Sequence, residues 1–204
     1  MKLTKRGEYA LRCLIALGVA EALGKDVVPG SELAQSERLP QKFLEGILGD
    51  LRNGGYVAAE RGRRGGYRLA KPLSQVKVGE IVRRIDGKLA PISCASETAY
   101  APCSCPDEAH CGLRMLMIDV RNSIAGILDR YTVGDVVEIT LVKLRQDGRL
   151  PAKKLALSPP GGLPTTPVPS GSTVAKRHGR RLQHADPKDG FLDQFLKSVK
   201  GPRT

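Results

Sequence analysis

The first twenty-five residues place apolar side chains at helical spacing. Between positions 4 and 23 they recur every three or four residues and fall on one helix face, formed by Leu11, Leu14, Ile15, Val19 and Ala22. Cys13 lies among them, so we expect its thiol in the core. Gly24 follows and favours the end of the helix. The pattern predicts an amphipathic helix over residues 4–23.

Two more helical patterns follow with a tight turn between them. Residues 26–29 predict a short strand, and Ser31 is placed to cap a short helix that runs through Gln35. Pro40 favours the first turn of the next helix, which extends to about Asn53. The side chains expected to face a core in that helix are Phe43, Leu44, Ile47, Leu48 and Leu51. Two short helices joined by a turn are typical of a helix-turn-helix.

Two strand-like segments come next. Residues 56–60 and 67–69 are joined by the glycine-rich run 61–66, which predicts a hairpin. The turn carries three arginines, Arg61, Arg63 and Arg64. An ordinary exposed basic turn would have the same composition. Because it directly follows a helix-turn-helix, we interpret the hairpin as a basic wing.

The pattern then becomes helical again. Residues 78–85 predict a short helix and residues 113–131 a long one. The apolar stripe of the long helix consists of Leu113, Leu116, Met117, Val120, Ile124, Ile127, Leu128 and Tyr131. Such a stripe packs either into the core or against a second copy of the chain, and both interpretations stay open. Thr132 and Asp135 resemble the capping box of a last short helix.

A polar segment rich in cysteine separates these two helices. Residues 93–112 have neither a helical nor a strand period, and they contain Cys94, Cys103, Cys105 and Cys111. A loop of this length needs something to order it. Clustered thiolates bind iron–sulfur clusters, and together with histidine they bind zinc. The segment therefore predicts a metal centre; His110 has the chemistry of a ligand but the context of an exposed loop residue.

The amino-acid composition of the chain changes at about Leu144. Residues 150–171 are rich in proline and glycine, and residues 176–181 form a basic cluster. This composition cannot bury a core, so residues 144–204 are expected to be a disordered basic tail. Much of the formal net charge of +12 lies in this tail. The charge of the whole chain is therefore weak evidence about its folded part.

Composition narrows the class of protein. The isoelectric point near 9.7 favours an acidic partner such as nucleic acid. No apolar run is long enough to span a bilayer, so neither a membrane helix nor a membrane partner is expected. Arg12 and Glu21 argue against a signal peptide, which favours a cytoplasmic location, where cysteine clusters are more often metal-binding than disulfide-linked. No phosphate-binding loop or catalytic histidine pairing is visible, so an enzyme is not expected.

Three segments resemble the Rrf2 superfamily of bacterial transcription regulators. They are residues 1–12, 43–57 and 61–69, in the order of the family, and the likeness covers about residues 1–140. Residues 105–113 are particularly similar to the iron-responsive RirA-type members. The resemblance implies a mainly α fold with a small β wing. Its parts would be a winged helix-turn-helix over 1–75 and a cluster-binding loop with a dimerisation helix over 76–143, with the tail 144–204 outside the likeness.

The same resemblance implies a set of cluster ligands. Three cysteines fall on the ligand positions of the family: Cys94, Cys105 and Cys111. The spacing between Cys94 and Cys105 is longer than in the family. Cys103 is an additional cysteine that could replace Cys94 or Cys105 as a ligand, supply a fourth ligand, or bind no metal. Arg114 stands where IscR-type members have a ligating histidine. Glu8 stands where NsrR-type members use an acidic ligand from the partner subunit; otherwise it is a solvated glutamate at a helix N-terminus.

Pattern and resemblance together predict a homodimeric, sequence-specific regulator of transcription. It would sense iron, nitric oxide or redox state through a 2Fe–2S or 4Fe–4S cluster. The second helix of the helix-turn-helix would enter the major groove of double-stranded DNA, where base edges would be read by Gln41, Lys42 and Glu45. The wing arginines would reach phosphates or a minor groove. The alternative is a thiol-based, zinc-based or metal-free regulator with the same fold.

Overall fold

The described part of the chain contains six α-helices and one two-stranded sheet. The structure is a computed structural model that describes residues 3–62, 65–87 and 89–150, so the expectations for Arg63, Arg64 and the tail beyond residue 150 lie outside the described residues. The elements are α1 (Lys5–Ala22), α2 (Gly30–Glu37), α3 (Gln41–Asn53), β1 (Val57–Glu60), β2 (Gly66–Leu69), α4 (Val78–Asp86), α5 (Gly112–Arg130) and α6 (Val133–Gln146). A mainly α fold with a small β wing, as the sequence predicts, is confirmed.

The first helix, α1, lies at the centre of the core. Thr4 caps it by accepting a hydrogen bond from the Gly7 amide at 3.1 Å, and Cys13 is fully buried as expected. At Gly18 an added Cβ would lie 2.7 Å from side-chain carbons of Leu73 and Val137. Glycine at this position therefore lets α1 and α6 approach closely.

Helices α2 and α3 form the predicted helix-turn-helix. Arg38 joins them with a left-handed backbone (φ 53°), a conformation that is uncommon outside glycine. The expectation that Ser31 caps α2 is wrong, because the helix begins at Gly30 and its cap is Pro29, which has no side-chain donor or acceptor. Phe43 was expected in the core but is 37% exposed.

The position of Phe43 follows from the geometry of α3. The buried stripe consists of Leu44, Ile47, Leu48 and Leu51, all fully buried. Phe43 lies at the margin of that stripe and packs edge-to-face on Tyr9 of α1, with ring centroids 6.2 Å apart. The aromatic pair therefore joins α1 and α3 at the protein surface rather than inside it.

Strands β1 and β2 form the wing. They pair in antiparallel register from Val57 with Leu69 to Glu60 with Gly66. The strand expected over residues 26–29 is reduced to one bridge, in which Val28 and Tyr67 exchange two backbone hydrogen bonds of 2.9 Å. A Cβ at Gly66 would lie 2.4 Å from the Val28 carbonyl oxygen, so glycine permits this contact. The bridge fixes the wing to the segment before α2.

The long helix α5 packs only lightly on the rest of the chain. Arg83 of α4 makes two hydrogen bonds to the Asp129 carboxylate, of 2.6 and 3.1 Å. Every residue of α5 is described and none is buried, and the more exposed apolar side chains on it are Leu113, Met115, Leu116 and Ile127. Its apolar stripe is therefore not part of the core that the described residues form. None of the described helices is long and apolar enough to cross a membrane.

The last helix, α6, extends beyond the expected boundary at residue 143. Thr132 and Asp135 form the predicted capping box, with hydrogen bonds of 2.8 and 3.0 Å. The helix ends at Gln146, and both Leu144 and Leu150 are buried in the core. Leu144 lies three residues after Leu141 and therefore falls on the same buried face of α6. For this reason the fold extends past residue 143. Residues 144–150 therefore belong to the folded part rather than to a tail.

Candidate metal centre and nucleic-acid interface

Helix α3 presents a polar outer face to solvent. Gln41, Lys42 and Glu45, the residues predicted to read bases, are all exposed in the first five residues of the helix. The Gln41 amide nitrogen donates a hydrogen bond of 2.9 Å to the Glu45 carboxylate. The pair therefore presents one donor and acceptor unit on the protein surface, which is the chemistry that the edge of a base pair requires.

Two glycines follow on the same helix, so its outer face carries no side chain at these positions. Gly46 is exposed and Gly49 half-buried. A Cβ at Gly49 would meet no atom within 4 Å, so packing inside this chain does not require glycine there. Glycine inside a helix lowers stability by roughly 0.5–1 kcal/mol relative to alanine. The outer face of α3 is thus open to close approach by another molecule at Gly49, whereas the Arg6 guanidinium lies beside Gly46.

Arg6 of α1 holds α3 in position. Its guanidinium donates to the Asp50 carboxylate at 2.8 Å from Nε and to the Gly46 carbonyl at 3.2 Å. Arg6 is therefore a positioning residue for the outer face of α3. Sequence analysis missed it because the two partners lie 44 positions apart and no periodic pattern connects them.

The wing provides a second basic surface. Arg61 is exposed at its tip, beside Gly62, whose φ of 110° is suited to glycine. The strands below the tip are joined across the sheet by Arg68 and Glu60 at 2.7 Å. Arg63 and Arg64 lie outside the described residues.

The first cysteine of the loop is buried in a short 3-10 turn. Cys94 lies in Ser93–Ala95 and is 5% exposed. Two arginines of α5 hold this turn: Arg114 Nε donates to the Cys94 carbonyl at 3.0 Å, and Arg121 donates to the Ala95 carbonyl at 2.7 Å. Arg114, which cannot ligate a metal, is thus a structural residue that fixes Cys94 on α5.

All four cysteines of the loop line one cleft. Cys94, Cys103, Cys105 and Cys111 share it with apolar neighbours such as Ile92 and Leu113. Cys103 and Cys111 are half-buried and Cys105 is exposed, and the sulfurs of Cys105 and Cys111 lie 4.0 Å apart. The structure therefore brings together every cysteine that the sequence singled out, including Cys103.

The thiols of the cleft influence one another's acidity. Burial is the main cause that raises the pKa of Cys94. The hydrogen bond from the Cys105 side chain lowers the pKa of Cys103, while the same contact raises the pKa of Cys105 to about 12. A thiolate is the form that binds metals.

The donor set of the cleft fits a sulfur-ligated centre. Four thiols in one cleft satisfy the ligand number of both common iron–sulfur clusters. In the described residues, however, no three His, Cys, Asp or Glu side chains are arranged to hold a single metal ion. The sulfurs of Cys105 and Cys111 lie 4.0 Å apart, which is close to the edge of about 3.8 Å for thiolates at roughly 2.3 Å around a tetrahedral metal.

The other two candidate ligands are engaged elsewhere. Glu8 of α1 pairs with Lys5 at 2.8 Å and with Arg12 at 3.5 Å, and the hydrogen bond from Lys5 lowers the pKa of Glu8. His110 is exposed, and its ring nitrogen Nδ1 lies 2.7 Å from the Asp107 carboxylate. Neither side chain lines the cysteine cleft.

The chain is similar in sequence to known proteins of one family. Residues 3–139 match the family model described as "Rrf2: Iron-dependent Transcriptional regulator". An rrf2-like HTH-type transcriptional regulator of Rhodobacter capsulatus is 41% identical over 66% of this chain and 91% of its own length. The HTH-type transcriptional regulator IscR of Vibrio atlanticus is 29% identical over 72% of this chain and 83% of its own.

A solved structure has a similar fold. The global cysteine regulator CymR of B. subtilis superposes with a TM-score of 0.56 at 27% identity, over 68% of this chain and 98% of its own. The helix-turn-helix, the wing and the long helix α5 all lie within the matched family segment. The chain therefore belongs to the Rrf2 family, whose members are winged-helix, DNA-binding regulators of transcription and not enzymes.

Proposed function

We propose that this regulator is a homodimer that senses iron, nitric oxide or redox state through an iron–sulfur cluster bound in the cysteine cleft. The observation that carries the proposal is that all four loop cysteines line one cleft beside α5. Cys94, Cys105 and Cys111 are ligands in this proposal, and a bound 2Fe–2S or 4Fe–4S cluster would supply sensitivity to iron, oxidants or nitric oxide. A regulator that binds chromosomal DNA acts in the cytoplasm.

The loop is attached to the helix that would form the dimer. Arg114 and Arg121 bind the backbone of the Cys94 turn, and Arg114 also pairs with Glu108 at 3.1 Å, near Cys111. The exposed apolar side chains of α5 need a partner, since no other described element covers them. A second copy of α5 suits that role because the stripe is long, apolar and helical. Order in the loop and packing of the dimer helix are therefore coupled.

A series of polar contacts connects the loop to the DNA-binding helix. Asp129 of α5 binds Arg83 of α4, and at the end of α4 the Asp86 carboxylate accepts a hydrogen bond of 2.9 Å from the Thr4 amide. Arg6, two residues into α1, then binds Asp50 of α3. Loss of order in the loop would change the support of α5 and, through these contacts, the position of α3.

The outer face of α3 and the wing would bind DNA in different ways. Gln41, Lys42 and Glu45 are exposed at the start of α3, and in the major groove they would specify bases. Arg61, with Arg63 and Arg64, would contact phosphates or a minor groove. Phosphate contacts strengthen binding without reading sequence.

The test of the cluster is anaerobic purification with iron and sulfide analysis and a visible spectrum. We expect a coloured protein whose absorbance is lost in Cys105→Ala and in Cys111→Ala, because each change removes a thiolate ligand. Cys13→Ala is the matched control, since Cys13 is buried in α1 and does not line the cleft. A wild-type protein without iron or sulfide, or a fully coloured Cys111→Ala variant, contradicts the proposal.

One observation favours a second candidate, a thiol switch. Cys105 and Cys111 lie 4.0 Å apart, so a small movement would bring their sulfurs to the disulfide distance of about 2.05 Å. A peroxide would accept the two electrons and two protons released as the bond forms and would be reduced to water or an alcohol. This candidate predicts a colourless, iron-free protein that loses two hydrogens by mass under peroxide and changes its DNA affinity. A colourless protein that contains zinc would indicate the zinc-based alternative.

A further inference from the structure

We propose that Cys103 is the fourth ligand of the cluster, so that one subunit supplies the complete site. The inference deepens the proposed iron–sulfur function and rests on it. Its basis is the position of Cys103 among the sulfurs of the cleft, together with the geometry of the other candidate ligands. The site would then differ from one that borrows a ligand from the partner subunit.

Cys103 shares one cleft with the three cysteines assigned as ligands. Cys94, Cys105 and Cys111 line that cleft together with Cys103, and the sulfurs of Cys105 and Cys111 lie 4.0 Å apart. Cys94 is buried, Cys103 and Cys111 are half-buried, and Cys105 is exposed. A cluster that binds Cys94, Cys105 and Cys111 would therefore occupy the cleft that Cys103 also lines.

The alternative fourth ligands are held away from the cleft. His110 is 85% exposed at its side chain and faces Asp107. Arg114 carries no ligating atom and binds a backbone carbonyl. Both carboxylate oxygens of Glu8 face cations of its own helix, Lys5 and Arg12, so ligation by Glu8 of the partner subunit would first require these ion pairs to break.

Four thiolates match the number of protein ligands that iron–sulfur clusters usually take. Both 2Fe–2S and 4Fe–4S clusters are commonly held by four cysteines. With three thiolates and a carboxylate as ligands, Cys103 would lie in the same cleft as a cluster that it does not bind. With four thiolates from residues 94–111, cluster binding does not depend on dimerisation. Occupancy should then be the same in dilute and in concentrated protein.

The experiment compares Cys103→Ala, Glu8→Ala and the control Cys13→Ala as full-length proteins purified without oxygen. Iron, sulfide, the visible spectrum and the rate of iron loss to a chelator are measured for each. Cys103→Ala is expected to lose iron at least ten-fold faster than wild type, because even changes around metal ligands lower affinity by roughly 10–100-fold. Glu8→Ala and Cys13→Ala are expected to match wild type.

A second measurement uses the wild-type protein, so a poorly folded variant cannot obscure the answer. Cysteines are alkylated before and after the cluster is stripped with a chelator, and the modified sites are found by mass spectrometry. Cys103 should be protected in the loaded protein and alkylated afterwards. Alkylation of Cys103 while the cluster is intact overturns the proposal.

The outcomes separate this inference from the function on which it rests. Loss of the cluster in Glu8→Ala overturns the single-subunit site whatever Cys103→Ala does, and so does a fully stable cluster in Cys103→Ala. In both cases a coloured wild type leaves the iron–sulfur function standing. A wild type that holds neither iron nor sulfide overturns both proposals together.

Discussion

Removal of the Leu144 or Leu150 side chain tests where the folded part of the chain ends. Both leucines belong to the core although they follow residue 143, the end that the sequence pattern predicts. We expect Leu144→Ala and Leu150→Ala each to lower the free energy of unfolding. Gln146→Ala, an exposed neighbour on the same helix, is the matched control.

The size of the effect follows from burial. Leucine-to-alanine changes in a core lower stability by about 2–5 kcal/mol, through lost transfer energy and the cavity left behind. Leu144 and Leu150 are 6% and 7% exposed and lie near the end of α6, where neighbours can relax. We therefore expect the lower part of that range, about 2–3 kcal/mol for each. Gln146→Ala should stay within about 0.5 kcal/mol of wild type, as surface substitutions usually do.

Urea denaturation followed by circular dichroism provides the measurement. With a slope of roughly 2 kcal/mol per molar urea, the expected loss moves the midpoint by about 1 M. Protein concentration must be the same for all samples, because the proposed dimerisation would stabilise the folded state by mass action. If Leu150→Ala has the midpoint of Gln146→Ala, then Leu150 does not pack on the core and the fold ends earlier than we describe.

Three further predictions concern the DNA-binding helix, the dimer helix and a helix cap. Gln41→Ala should reduce discrimination at one base pair by about 1–3 kcal/mol in binding titrations with operator variants, and an equal loss on random DNA would contradict a reading role. Leu116→Asp with Ile127→Asp should yield a monomer in analytical ultracentrifugation, since both side chains are more than half exposed on the apolar face of α5; an unchanged dimer would refute that interface. Thr132→Ala should lower unfolding free energy by about 0.5–2 kcal/mol while Thr132→Ser restores most of it, as the cap to Asp135 requires a hydroxyl.

Local patterns were sufficient to predict most elements of the fold. The period of α1, the turn between α2 and α3, the hairpin and the Thr132 capping box all depend on residues close in sequence. The clustering of cysteines in one short loop likewise predicted that their sulfurs would meet. These features needed no knowledge of distant contacts.

The remaining features depend on contacts between distant residues. Phe43 shares the apolar character of Leu44, and only its contact with Tyr9 determines that it lies at the margin of the core. A polar loop sequence does not indicate that Cys94 is buried, because its burial depends on Arg114 and Arg121 from α5. Such partners are 20 or more positions away and follow no period.

The absence of side chains at Gly46 and Gly49 on the outer face of α3 affects how many promoters such a regulator can bind. Because Gly46 and Gly49 contribute no side chain, the middle of this face offers no group that distinguishes one base from another. Each half-site then carries little information, and near-matches are frequent in a genome. If the proposed dimer binds paired half-sites, selectivity would shift to their spacing and to the deformability of the DNA between them. The protein would therefore be distributed over a graded series of sites, and changes in its abundance would alter which of them are occupied.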